Sequence, residues 1–120
     1  MDPKKDIVFG HEFCAEVLEG GPGANRFKAG TRVVSMPMLM RGERVETVGY
    51  SNDFPGGYGE RMLLNDAMLL PVPNGLSTEH AALTEPMAGE QSGGAQEVPY
   101  DAVRSNSERA APSAWVGKRF

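Results

Sequence analysis

Gly10-His11-Glu12-Phe13-Cys14-Ala15-Glu16-Val17-Leu18-Glu19-Gly20-Gly21-Pro22-Gly23 is a short apolar run between a glycine that admits a turn and a glycine–proline cluster that forces one. Within it Phe13 to Leu18 reads as a strand, because β-capable residues sit together and turn residues close them off at low conformational cost. The same grammar repeats outward. Ala29-Gly30 opens a second strand, Thr31 to Met40, and a polar, glycine-containing loop follows. Asn52-Asp53-Phe54-Pro55-Gly56-Gly57 then turns the chain into a third strand, Tyr58 to Leu64. Asn65-Asp66 precedes a fourth, Ala67 to Val72, which Pro71 and Pro73 close. Ser77 suits the N-cap of a short helix through Thr78 to Leu83. Evenly spaced short strands with one or two short helices predict an all-β barrel or sandwich.

Bulk properties narrow the classes of function. The chain has 120 residues, enough for one domain. Its 12 Lys and Arg against 16 Asp and Glu leave a net charge of −4, and no basic cluster is present to neutralise phosphates, so nucleic acid is not an expected partner. No apolar run is long enough to span a bilayer, and Met1-Asp2-Pro3-Lys4-Lys5-Asp6 lacks the apolar core of a secretory signal. The single cysteine, Cys14, excludes an internal disulfide framework and fits a reducing, cytoplasmic setting.

The chemistry-bearing residues are few. His11 is a metal-competent imidazole, with the carboxylate of Glu12 beside it and that of Glu85 far downstream. One His and two acids make most of a mononuclear zinc site. On a regular strand His11 and Glu12 would point to opposite faces, so both reach one metal only if the backbone bends. Glu12 otherwise reads as support for the ligand or as a structural ion pair. Glu85 precedes Pro86, which pushes it out of the α region and can place it at a helix N-terminus, where a capping carboxylate is the alternative reading. His11 and Cys14 have ligand-like spacing, but a separation of three on a strand opposes the side chains, and a small buried apolar role fits Cys14 better. His80 reads as solvated on a short helix. Met36, Met38 and Met40 share a face by period two, suiting core packing or, less commonly, an apolar cleft.

Four motifs in one order carry a resemblance: Gly10-His11-Glu12 with Glu16 beyond it, Gly30-Thr31-Arg32-Val33, Gly56-Gly57-Tyr58-Gly59-Glu60, and Thr84-Glu85-Pro86-Met87-Ala88. Together they resemble the GroES-like catalytic domain of the zinc-dependent medium-chain alcohol and polyol dehydrogenases, over residues 6–88. The resemblance implies a partial GroES-like barrel, with Zn2+ bound by His11, by Glu12 directly or only occasionally depending on the branch of the family, and by Glu85 directly or through water. It also implies NAD(P)-linked oxidation of a small alcohol, in which the metal polarises the alcohol oxygen and hydride passes to a nicotinamide on a following Rossmann domain.

The chain departs from the family pattern. No Cys lies upstream of Gly10, where the resemblance implies the first zinc ligand, so the zinc site is expected to be weak or incomplete, and no four-cysteine structural zinc motif precedes Gly56. No Gly-x-Gly-x-x-Gly unit follows Ala88. Residues 89–120 show no period of 2 or 3.6 and read as a disordered or out-of-family tail. The expectation is a truncated or frameshifted fragment, inactive alone, with no complete set of catalytic residues and no cofactor-binding residues. The alternative is a non-catalytic β-barrel module that binds a partner or an intact relative through open strand edges. Such edges also predict self-association.

Overall fold

A computed structural model describes residues 1–91 and 113–117. The described strands are β1 (Ala15–Gly20), β2 (Arg32–Val34), β3 (Met38–Arg41), β4 (Arg44–Thr47), β5 (Arg61–Asn65), β6 (Leu70–Pro71) and β7 (Ser113–Gly117). The helices are α1 (Thr78–Ala81) and α2 (Thr84–Gln91). One sheet runs in the order β5-β7-β1-β2-β6, and β3 and β4 form a separate hairpin. The described fold is therefore mostly strand with little helix, as the partial GroES-like barrel requires.

The pairing is antiparallel throughout and places one apolar face inward. Ala15 lies opposite Val33, Val17 opposite Val116, and Met62 and Leu64 opposite Val116 and Ala114. These side chains, with Phe13, Leu39, Val48 and Leu69, form one core. Val33, Leu64 and Val116 are wholly enclosed. Each such burial stabilises by about 1.5–3 kcal/mol relative to exposure. A register irregularity between Val17 and Glu19 leaves Leu18 out of the ladder and bends β1.

Strand boundaries differ from the sequence reading in physically traceable ways. The expected run Thr31 to Met40 breaks into β2 and β3, because Pro37 removes a ladder donor and interrupts the pairing. The break also undoes the methionine stripe. Leu39 points into the core, Met38 and Met40 are half-buried, and Met36 is exposed. The expected strand Ala67 to Val72 begins instead as a 3-10 turn, Asp66–Met68, and only Leu70–Pro71 pair, with β2. The polar loop after Met40 contains β4, whose alternation is masked by charge at Arg44 and Glu46.

Residues 89–120 include two stretches that take part in the fold. Gly89 to Gln91 continue α2, and Ser113–Gly117 form β7, hydrogen-bonded to both β1 and β5. Ala114 and Val116 enter the core while Trp115 lies 41% exposed on the other face. That is strand alternation in a piece too short to register as a period. The remainder of the expected tail lies outside the described residues.

Asn65, read from the sequence only as a turn signal, is buried at 1% exposure. Its Oδ1 accepts from the Met40 amide at 2.6 Å and its Nδ2 donates to the Met40 carbonyl at 3.5 Å. A side-chain amide thus stands in for a strand partner and ties the β3–β4 hairpin to β5. Asn52 plays a similar part for the N-terminal segment. Its Oδ1 accepts from the Asp2 amide at 2.7 Å, and its Nδ2 reaches the carbonyls of Asp2 and Lys5.

Candidate metal centre

The site begins with a glycine crossing. Gly10 has φ +106°, a conformation that side chains rarely adopt, and a Cβ there would come within 2.9 Å of the Tyr58 amide nitrogen. The close approach is used. Gly57 N donates to Gly10 O at 2.7 Å, Tyr58 N to Phe9 O at 3.0 Å, and Gly56 N to Val8 O at 2.8 Å. Residues 8–10 are therefore pinned to the Gly56–Tyr58 turn by backbone alone. His11 leaves this clamp at a fixed point.

His11 and Glu12 precede β1 and do not belong to a regular strand. The constraint that neighbours oppose each other does not apply, and both side chains turn toward one place. His11 Nε2 lies 4.0 Å from Glu12 Oε1 and 3.8 Å from Glu85 Oε2. One ligand atom from each of His11, Glu12 and Glu85 can be chosen so that all lie within 4.8 Å of one another.

Glu85 arrives from a distant part of the sequence, on α2. Ser77 Oγ accepts from the His80 amide at 3.2 Å, capping α1, and Ala81 is buried beneath it. The chain then turns into α2, where the Met87 amide donates to the Leu83 carbonyl at 3.1 Å. Glu85 occupies the first turn of α2, so the expected displacement from the α region by Pro86 does not occur. The first turn tolerates proline, since its missing N–H would have no intrahelical partner there.

The donor set fits a zinc ion. Imidazole nitrogen and carboxylate oxygen are both ordinary zinc ligands, with bonds of about 2.0–2.2 Å, which in a tetrahedron sets ligand atoms about 3.4 Å apart. The distances from His11 Nε2 are somewhat longer, and the half-exposed Glu12 and partly exposed Glu85 side chains have room to rotate and close them. Three such ligands would leave a fourth position free, as catalytic rather than structural zinc sites do.

Cys14 stays apart from this cluster. It is buried with Val34 and Ala81 in a second apolar group. Burial pushes its thiol above the usual range, only partly offset by the Arg32 guanidinium and a hydrogen bond with Thr78. A thiol held protonated in an apolar setting is a poor nucleophile and a poor metal ligand. His80 is exposed on α1 and lies outside the candidate group.

Tyr50 was not singled out by the sequence. Its Oη is 3.2 Å from His11 Nδ1, and the two rings sit 5.5 Å apart at a 36° tilt. Phe9 packs edge-on against Tyr50 at 6.3 Å. No periodicity marks a tyrosine in a polar loop. Gly49 just before it is a weak signal, since a Cβ there would meet Gly10 O at 2.7 Å.

The sequence profile of the alcohol dehydrogenase GroES-like domain matches residues 1–74. The chain belongs to the zinc-dependent medium-chain dehydrogenase superfamily. Its relatives include (R,R)-butanediol dehydrogenase of Bacillus subtilis, 32% identical over 92% of this chain and 32% of that protein. L-threonine 3-dehydrogenase of Rhizobium rhizogenes is 28% identical over 67% of this chain and 26% of the relative. Acryloyl-coenzyme A reductase of Metallosphaera sedula is 30% identical over 72% of this chain and 29% of the relative. The GroES-like chain thus spans about a third of the length of the butanediol dehydrogenase and about a quarter of the threonine dehydrogenase. No solved structure gives a significant match. Among the described residues, no helix is long and apolar enough to cross a membrane.

Proposed function

We propose that this chain supplies the metal-bearing end of a zinc-dependent, NAD(P)-linked dehydrogenase acting on a small alcohol or polyol. The observation that carries the reading is the convergence of His11, Glu12 and Glu85, from two distant parts of the sequence, on one volume. The names of the butanediol and threonine dehydrogenases support an alcohol as the substrate class.

In this reading His11 presents Nε2 to the ion and the two carboxylates complete a site with an open position. A zinc ion in such a site supplies Lewis acidity to a bound alcohol oxygen. The residues of the chain orient and hold that centre. The Gly10 clamp fixes His11, α2 carries Glu85 to it, and the exposed carboxylate of Glu12 gives the coordination sphere room to adjust. Glu12 and Glu85 also offset part of the ion's charge.

Calorimetric titration of the full chain with Zn2+ tests the reading. One ion per chain is expected for wild type, with a loss of affinity of a hundredfold or so on His11→Ala and a smaller loss on Glu85→Gln. Binding unchanged by His11→Ala would remove the proposed site.

A further inference from the structure

The metal reading leaves one nitrogen of His11 unaccounted for. Nε2 faces Glu12 and Glu85, and Nδ1 faces the phenol of Tyr50 at 3.2 Å. An imidazole that binds a metal through one nitrogen is commonly oriented through the other, usually by a carboxylate or a backbone carbonyl. Here the partner is a hydroxyl, which can both donate and accept.

We propose that Tyr50 is the positioning residue for His11 and that its hydroxyl serves the ring in both tautomers. This inference rests on the metal reading above. Without metal, Tyr50 Oη–H donates to Nδ1, the proton sits on Nε2, and that N–H points toward the two carboxylates. With metal, Nε2 must offer its lone pair, the proton sits on Nδ1, and the same hydroxyl accepts from Nδ1–H. A carboxylate could serve only the second state, because an ionised acid cannot donate. The exchange moves one proton between the two ring nitrogens through solvent and leaves the ring's net charge unchanged.

Tyr50 is itself held for this role. Its amide donates to the Thr47 carbonyl at 3.1 Å, and Phe9 packs edge-on against its ring. Phe9 and Gly10 belong to the same clamp that fixes His11, so ligand and orienting group share one support. The tilted ring contact limits the movement of the imidazole, and the hydroxyl fixes its rotation.

Tyr50→Phe keeps the ring and its contact with the imidazole and removes only the hydroxyl. Two measurements on the full chain decide the matter. Side-chain nitrogen NMR of metal-free wild type near pH 8 should show His11 predominantly as the Nε2–H tautomer, shifting to Nδ1–H when zinc is added. Tyr50→Phe should bind zinc about 10–100-fold more weakly, with its thermal midpoint close to wild type and its metal-free imidazole a mixture of tautomers. Equal zinc affinity in wild type and Tyr50→Phe, or the same tautomer balance in both, would overturn the role of Tyr50 while leaving the metal site standing. Wild type that binds no zinc, or whose binding survives His11→Ala, would overturn the metal reading and this inference with it.

Discussion

Val116→Asp is expected to abolish cooperative folding. Val116 lies on β7, the strand between β5 and β1, and has no exposed surface. It faces Val17 on one neighbour and Met62 on the other. A carboxylate at this point must be either desolvated without a partner or protonated, and both outcomes cost several kcal/mol. A domain of this size has roughly 5–15 kcal/mol of stability in total, toward the low end for a small core. Loss of the thermal transition by circular dichroism is the expected result. Trp115→Thr, on the exposed face of the same strand, should retain a melt, because its neighbour positions in the core are untouched. A Val116→Asp protein that melts like wild type would mean that β7 does not occupy the sheet.

Gly10→Ala is expected to destabilise the fold by about 3 kcal/mol or more and to weaken zinc binding beyond tenfold. Two costs combine. The backbone at φ +106° is strained for any L side chain, worth about 1–3 kcal/mol. A Cβ would also press on the backbone nitrogens of Tyr58 and Gly57 at 2.9 and 3.0 Å. Backbone cannot swing aside as a side chain can, so relief requires opening the clamp that sets His11. Gly42→Ala is the natural comparison. Gly42 also has positive φ, +59°, but nothing lies within 4 Å of its Cβ direction. That substitution should cost only about 1–2 kcal/mol and leave zinc affinity unchanged. Thermal melts and zinc titrations of both variants check the contrast. Equal effects at Gly10 and Gly42 would show that conformation alone, and not the close approach, matters at the site.

The residues that the structure groups into the candidate site were legible in the sequence because their signals are local. Gly-His-Glu and Glu-Pro are short motifs, and the turn chemistry around Gly56 and Gly57 announces a tight backbone. The cap at Ser77 was equally plain, and the structure places its oxygen on the His80 amide. What escaped depends on long-range pairing. Asn65 looked like a turn residue because nothing nearby says that its amide will serve Met40, 25 positions away. β7 escaped because five residues cannot establish a period, and its partners, β1 and β5, are remote in the chain. Tyr50 escaped for the same reason, since its partner His11 is 39 positions distant. The methionine stripe misled because period two was extended through Pro37, where the strand actually breaks. Glu85 was placed correctly at a helix start, but its conformation followed the tolerance of a first turn for proline rather than the bias proline imposes on its predecessor.

In the proposed site His11, Glu12 and Glu85 hold one zinc ion and Cys14 does not. Zinc X-ray absorption on the stoichiometrically loaded full chain reads the donor set itself. The expected spectrum contains one imidazole and otherwise oxygen or nitrogen ligands at about 2.0–2.2 Å, and the imidazole contribution disappears in His11→Ala. A sulfur scatterer at about 2.3 Å, or a wild-type spectrum that His11→Ala leaves unchanged, would contradict it.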